Sequence, residues 1–204
     1  MELSAMEPRR HRLTALFLDG EYAVSVDTET VLRAGWKPGR EVTAAQLHDL
    51  LAESDARRAS EKALYLLEHR SHSKKELADK IARTLPREAA QAAAQKMEDL
   101  GLIDDADYAR RCAQALFGKG YARRRVQYEL LHKGIAPELA EAAMDDFEPD
   151  PVEAACAVLE KKYPTLQDEK VRRRAAAALQ RMGYSWEDAC AAMRAVLENV
   201  EEDG

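Results

Sequence analysis

Tyr121-Ala122-Arg123-Arg124-Arg125-Val126-Gln127-Tyr128-Glu129-Leu130-Leu131-His132-Lys133-Gly134-Ile135 has the pattern of one short amphipathic helix ended by a glycine. At about 100° per residue, Ala122, Val126 and Leu130 fall on one narrow apolar arc. The stretch is also one of three. Leu77 and Ile81 precede Val126 and Leu130 by 49 residues, and Ala175 and Leu179 follow them by the same step. Lys133-Gly134-Ile135 is matched by Met182-Gly183-Tyr184, and Ala140, Ala143 and Met144 by Ala189, Ala192 and Met193. A duplicated unit of three short helices accounts for this register. No such unit can bury its apolar stripe alone, so neighbours are expected to stack into an elongated array. In the first unit Leu85-Pro86 stands where the second has Ala136-Pro137, on a shorter loop.

Punctuation outside the repeats agrees with this layout. Ser73 with Glu76, Pro86, Asp104 with Asp107, Pro137, Pro151 and Ser185 with Asp188 read as helix starts, while Gly101, Gly118, Gly120, Gly134 and Gly183 read as stops. About nine helices are expected beyond Ala56. Leu13 to Phe17 and Tyr22 to Val26 are β-prone runs flanking Asp19-Gly20, a pair suited to a type I′ turn, so a small N-terminal β-hairpin is expected. Thr28 to Ala34 reads as a short helix ended by Gly35, and Thr43 with Gln46 as a capping box. The fold expected is mainly α. Residues 1–55 would hold the hairpin and a helical segment, and 56–104, 105–150 and 151–204 the three-helix repeats.

Composition narrows the function classes. The 204 residues are 46% hydrophobic and 33% charged, with nine Gly, seven Pro and 6% aromatics, a globular balance that favours helix over sheet. No run approaches the roughly 18 apolar residues that span a bilayer. Met1 to Arg12 is charged and has no apolar leader core, so a cytoplasmic protein without a membrane partner is expected. Cys112, Cys156 and Cys190 are far apart and form neither a disulfide framework nor a zinc pattern; they read as small buried hydrophobes. A net charge of −6 argues against wholesale coating of nucleic acid, though not against a local basic face.

Such a face is present in the repeat. Lys74 and Lys75, Arg123 and Arg124, and Arg172 and Arg173 recur at the 49-residue step, and Arg125 and Tyr128 join them on the outer side of the middle helix. All lie early in their helices, where the backbone dipole disfavours each cation by a few tenths to about 1 kcal/mol. Two explanations compete. Acids from an adjacent helix neutralise the bases, and the stretch from Glu138 to Glu160 holds eight carboxylates without a Lys or Arg. Alternatively, a basic ridge tracks a periodic acidic partner such as a nucleic-acid backbone or a protein filament.

No catalytic constellation emerges, and neither a metal nor a cofactor is expected. Asp104, Asp105 and Asp107 are better explained by helix capping than by metal binding. His69 and His72 lack a third ligand, and Gly118-Lys119-Gly120 lacks most of a phosphate-binding loop. Trp36 and Trp186 read as core anchors.

Gly101-Leu102-Ile103-Asp104-Asp105-Ala106-Asp107-Tyr108-Ala109, Gly120-Tyr121-Ala122-Arg123-Arg124-Arg125-Val126 and Glu129-Leu130-Leu131-His132-Lys133-Gly134-Ile135 resemble the RecX family of recombination regulators. The resemblance extends to Ser71-His72-Ser73-Lys74-Lys75-Glu76-Leu77, to Met182-Gly183-Tyr184 and, less sharply, to Leu18-Asp19-Gly20-Glu21-Tyr22. It implies tandem three-helix units in a curved array. It also implies a non-enzymatic bacterial regulator that lies along the groove of the RecA filament on single-stranded DNA and inhibits filament extension, strand exchange, ATP turnover and coprotease activity; a monomer is expected. Thr165 to Glu169 lengthens a loop relative to the family pattern. Lys74, Lys75, Arg123, Arg124, Arg125, Tyr128, Arg172 and Arg173 are the expected contacts. The alternatives are a protein that contacts DNA directly and competes for the track, and a helical adaptor for an unrelated protein.

Overall fold

A computed structural model describes the backbone of residues 1–202 and the side chains as far as Glu198. Two compact units divide at Ile103 and Asp104.

In the first unit, β1 (Leu3–Arg9), β2 (Leu13–Leu18) and β3 (Glu21–Asp27) form an antiparallel sheet in chain order. The β2–β3 hairpin turns at Asp19-Gly20, both at positive φ, as a type I′ turn requires. The sheet has one strand more than the hairpin read from sequence. Its first turn uses His11 and Arg12, each at φ 59, where no glycine marks the left-handed conformation. β1 is also held by the segment before α2: Leu3 N donates to the Arg40 carbonyl at 2.9 Å and Val42 N to the Met1 carbonyl at 2.8 Å.

α1 (Thr28–Arg33) is capped by Asp27. That carboxylate is buried, accepts from Thr30 N at 3.0 Å and lies 2.9 Å from Arg57 Nε, while Asp27 N donates to Ser54 Oγ at 2.8 Å. One buried acid thus ties the sheet to both following helices, as a buried charge must be paired to be tolerated.

α2 (Ala44–His69) begins at the Thr43–Gln46 capping box and continues for 26 residues. The expected boundary between residues 55 and 56 falls inside it, because no glycine, proline or cap interrupts the helix there. Its first half covers the sheet through Leu50, with Leu47 and Leu51 partly buried beside Leu16, Val26 and Trp36. Its second half supplies Ala59 and Ala63 to a core shared with α3 (Lys74–Ile81) and α4 (Arg87–Asp99), where Leu77, Ile81 and Met97 are fully buried.

The second unit holds six helices among the described residues. α5 (Asp105–Phe117), α6 (Arg123–His132) and α7 (Pro137–Asp145) surround Val126, Leu130, Ile135, Ala140 and Met144. α8 (Pro151–Lys162), α9 (Glu169–Arg181) and α10 (Trp186–Glu202) surround Leu159, Ala175, Leu179, Tyr184 and Ala192. Leu77, Val126 and Ala175, then Ile81, Leu130 and Leu179, matched by the 49-residue step, are therefore all buried at matching positions, as are Ile135 with Tyr184 and Ala140 with Ala189. Trp186 departs from its expected role: it is 62% exposed, because it opens α10 one turn before the buried stripe begins at Ala189. Trp36 is buried, and the three cysteines are only partly so.

Candidate functional site

α6 starts without a side-chain cap, since Ala122 occupies the capping position. The neighbouring three-helix group supplies what is missing. Ala122 N donates to the Met182 carbonyl at 3.0 Å, so the carbonyl end of α9 meets the amide end of α6. This alignment answers the puzzle of three arginines in the first turn of a helix, because the partial negative charge of the α9 C-terminus offsets the unfavourable field of α6 itself. Gly183 makes the approach possible. It has φ +96, and a Cβ there would lie 2.7 Å from both the backbone N and the Cβ of Arg125.

The expected contact residues divide into two sets. Arg123 turns back onto its own three-helix group, pairing with Asp145 at 2.9 Å and with Glu141 and Glu148. Hydrogen bonds to Asp145, Glu148 and Glu141 raise its pKa further above the ordinary arginine value. Lys74 does the same in the first unit, reaching Glu98 and Gln95 at 2.6 Å each. For these two residues the acidic segments act as internal neutralisers, one of the two explanations the charge pattern allowed. Lys75 and Arg173 stay on the surface, and among the described residues each pairs along its own helix, with Asp79 at 2.7 Å and Glu169 at 2.5 Å respectively. Arg172 is half-buried, and Arg124 is exposed; neither forms an ion pair among the described residues.

Arg124, Arg125 and Tyr128 do converge. They line an open cleft of about 450 Å³ with Gln127 and Leu131 on one wall and Gln180 and Arg181 on the other. Arg125 pairs with Glu129 at 2.5 Å and lies over the rings of Tyr128 at 5.4 Å and Tyr121 at 6.0 Å. Tyr128 is 58% exposed and stacks on His132 with ring centroids 6.0 Å apart. The cleft thus offers three guanidinium groups around an exposed aromatic ring, suited to carboxylates or phosphates beside a flat apolar group. Arg181 and Gln180 escaped the sequence reading. They end α9, away from the basic pair that begins it, and reach the cleft only because α9 abuts α6.

Other polar groups have local explanations. Asp104 Oδ1 accepts from Asp107 N at 2.9 Å, which is helix capping. His69 Nδ1 lies 2.7 Å from the Tyr65 carbonyl oxygen, and His72 is buried with its Nδ1 3.5 Å from Glu76. Among the described residues no group of three or more His, Cys, Asp or Glu is placed to hold a metal, and no helix is long and apolar enough to cross a membrane.

Comparison with known proteins identifies the three-helix groups. Residues 104–144 match the second three-helix domain of RecX, and residues 148–193 match the third. The chain is 32% identical over 150 residues to the regulatory protein RecX of Caldanaerobacter subterraneus subsp. tengcongensis, covering 72% of this chain and 76% of that protein. It is 39% identical over 127 residues to the one from Stenotrophomonas maltophilia strain R551-3, covering 61% and 78% respectively. A crystal structure of a regulatory protein RecX shares the fold, with a TM-score of 0.62, 19% identity and coverage of 94% of this chain and 98% of that one. The RecX structure from Lactobacillus salivarius gives 0.57 at 21% identity over 70% and 96%.

Proposed function

Because this chain belongs to the RecX family of regulatory proteins, we propose that it binds the RecA filament on single-stranded DNA along its helical groove. Occupancy of the groove then inhibits filament extension, strand exchange, ATP turnover and coprotease activity. The single observation that carries this reading is the cleft between α6 and α9, where Arg124, Arg125 and Arg181 surround the exposed Tyr128. Such a cleft suits a contact that is repeated along a polymer, since several modest sites on one chain add through effective concentration while each stays reversible. Within the expected set, Arg124, Arg125 and Tyr128 are the contacts we favour, with Arg181 added. Lys75, Arg172 and Arg173 are further contacts, and Lys74 and Arg123 support the groups that display them.

The test is charge reversal at Arg124→Glu with Arg181→Glu, both on exposed side chains without ion pairs among the described residues. Co-sedimentation with recombinase filaments on single-stranded DNA and inhibition of strand exchange should both be lost, with helicity unchanged. Full inhibition by the folded double variant refutes the assignment.

A direct DNA contact is the second reading, and the exposed Tyr128–His132 stack beside Arg125 favours it, since such rings accept unstacked bases. Three phosphates neutralised on a single strand give a log–log salt slope of about −2 for bare DNA. A filament-specific binder has little affinity for that DNA at any salt.

A further inference from the structure

The Gly118-Lys119-Gly120 turn lies outside the α6–α9 cleft. It forms one side of an open basin of about 780 Å³ whose other side is α8. Ala154, Ala157 and Val158 recur at helical spacing along the α8 wall and, with Met182, make an apolar floor. Lys119, Lys161 and Lys162 stand on the rim, all exposed and without an ion pair among the described residues. Two bases at the end of α8 are ordinary complements to its dipole. Their convergence with a third from another helix group, over an apolar floor, is not.

The two sides of the basin are closely packed. Gly120 has φ +82, and a Cβ there would lie 2.4 Å from Val158 Cγ2, so the turn touches α8 at a distance only glycine allows. Tyr184 Oη donates to the Gly120 carbonyl at 2.9 Å and fixes the turn from beneath. Of the acids in this stretch, Glu148 binds Arg123, and Asp150 Oδ1 caps α8 by accepting from Val152 N and Glu153 N at 2.9 Å each; the exposed Glu153 and Glu160 of α8 form no ion pair with the lysines among the described residues.

We propose that this basin docks an acidic peptide segment of a protein partner, with an apolar side chain seated on the Ala157–Val158 floor and carboxylates on the lysine rim. Charge complementarity selects the acid, and the floor selects peptide over polynucleotide. A sugar–phosphate chain has little apolar area to cover such a floor, and the basin lacks the guanidinium forks of the α6–α9 cleft; of the two rings that line it, Phe117 is buried and Tyr121 is only partly exposed. A preformed basin of this kind orders its ligand without reorganising itself.

The experiment uses the full chain and fluorescence anisotropy. The probes are a short fluorescein-labelled peptide of Asp and Glu around a central Leu-Phe pair, the same peptide with Ser-Ser at its centre, and a labelled oligothymidylate of matching charge. The Leu-Phe peptide should bind at least about tenfold more tightly than either other probe. Lys161→Glu with Lys162→Glu, and independently Lys119→Glu, should weaken it by at least about tenfold with unchanged circular dichroism. Ala157→Asp, on an exposed floor position, should do the same. The proposal is overturned if the Leu-Phe peptide fails to bind, if the two peptides bind alike, if the oligonucleotide binds best and is lost in the lysine variants, or if the folded variants bind as wild type does. None of the probes contains recombinase, so this test and that of the filament reading fail separately.

Discussion

Replacing Gly183 with alanine should strike the junction on which the cationic cleft depends. A non-glycine residue held at φ +96 is strained by about 1–2 kcal/mol. The added methyl would sit 2.7 Å from the Arg125 backbone, which cannot rotate aside as a side-chain tip can, and overpacking of that kind costs about 1–3 kcal/mol. If α6 retreats to relieve the clash, the Ala122–Met182 hydrogen bond is lost, at about 1 kcal/mol. Clash and retreat are alternatives, so the expected destabilisation of the second unit is about 2–5 kcal/mol. Gly101→Ala is the comparison, because Gly101 has φ +69 but open space around its missing Cβ, so only the backbone strain of about 1–2 kcal/mol applies. Urea unfolding followed by circular dichroism measures both variants, and hydrogen exchange resolved by peptide should show the loss concentrated in α6 and α9. Equal destabilisation by the two variants, or unchanged protection of α6 in Gly183→Ala, would refute the claim that these helices meet end to end through this glycine.

Arg123→Ala should lower stability by about 1 kcal/mol at low salt, since it leaves Glu141, Asp145 and Glu148 facing one another, and the loss should shrink in 1 M NaCl where screening is nearly complete. A loss that does not depend on salt would assign Arg123 a packing role instead. Tyr184→Phe should cost about 1 kcal/mol through the hydrogen bond to Gly120. Burial, with a smaller contribution from Asp188, pushes the Tyr184 phenol up to about 12. The native state therefore favours the neutral phenol, and this contribution is present below pH 10 and is lost as pH rises from 10 towards 12; ultraviolet titration that finds every tyrosine ionised by pH 10.5 contradicts it. Burial and the charge of Arg70 lower the His72 pKa below 6.5, so the native state resists its protonation. Stability from this group is present above pH 6.5 and declines as pH falls below it; His72→Gln should flatten the melting-temperature difference between pH 7.5 and 5.5, and an unchanged difference counts against the assignment.

Local rules made much of the helical layout legible. Thr43, Ser73, Asp104 and Ser185 accept hydrogen bonds from the amides three residues on, an interaction within one turn of chain. Val126, Leu130, Ala175 and Leu179 could be placed in cores because helical periodicity needs no partner to define a buried face. The first strand was illegible because its turn uses His11 and Arg12 in the left-handed region without a glycine to announce it. The full length of α2 was missed because the two cores it serves lie on separate groups of elements.

The candidate site divides along the same line. Sequence alone established that bases recur at one register of a repeated helix, since spacing and helical geometry are properties of the chain itself. It could not tell Arg123 from Arg124, because neighbours on a wheel differ by only about 100° and a long side chain can swing towards whichever acids lie near. Packing made that choice, drawing Arg123 onto α7 and the residues that follow it and leaving Arg124 on the surface. Packing also brought Arg181 from the far end of another helix to complete the cleft, a juxtaposition created only where the α9 carbonyl end meets the α6 amides.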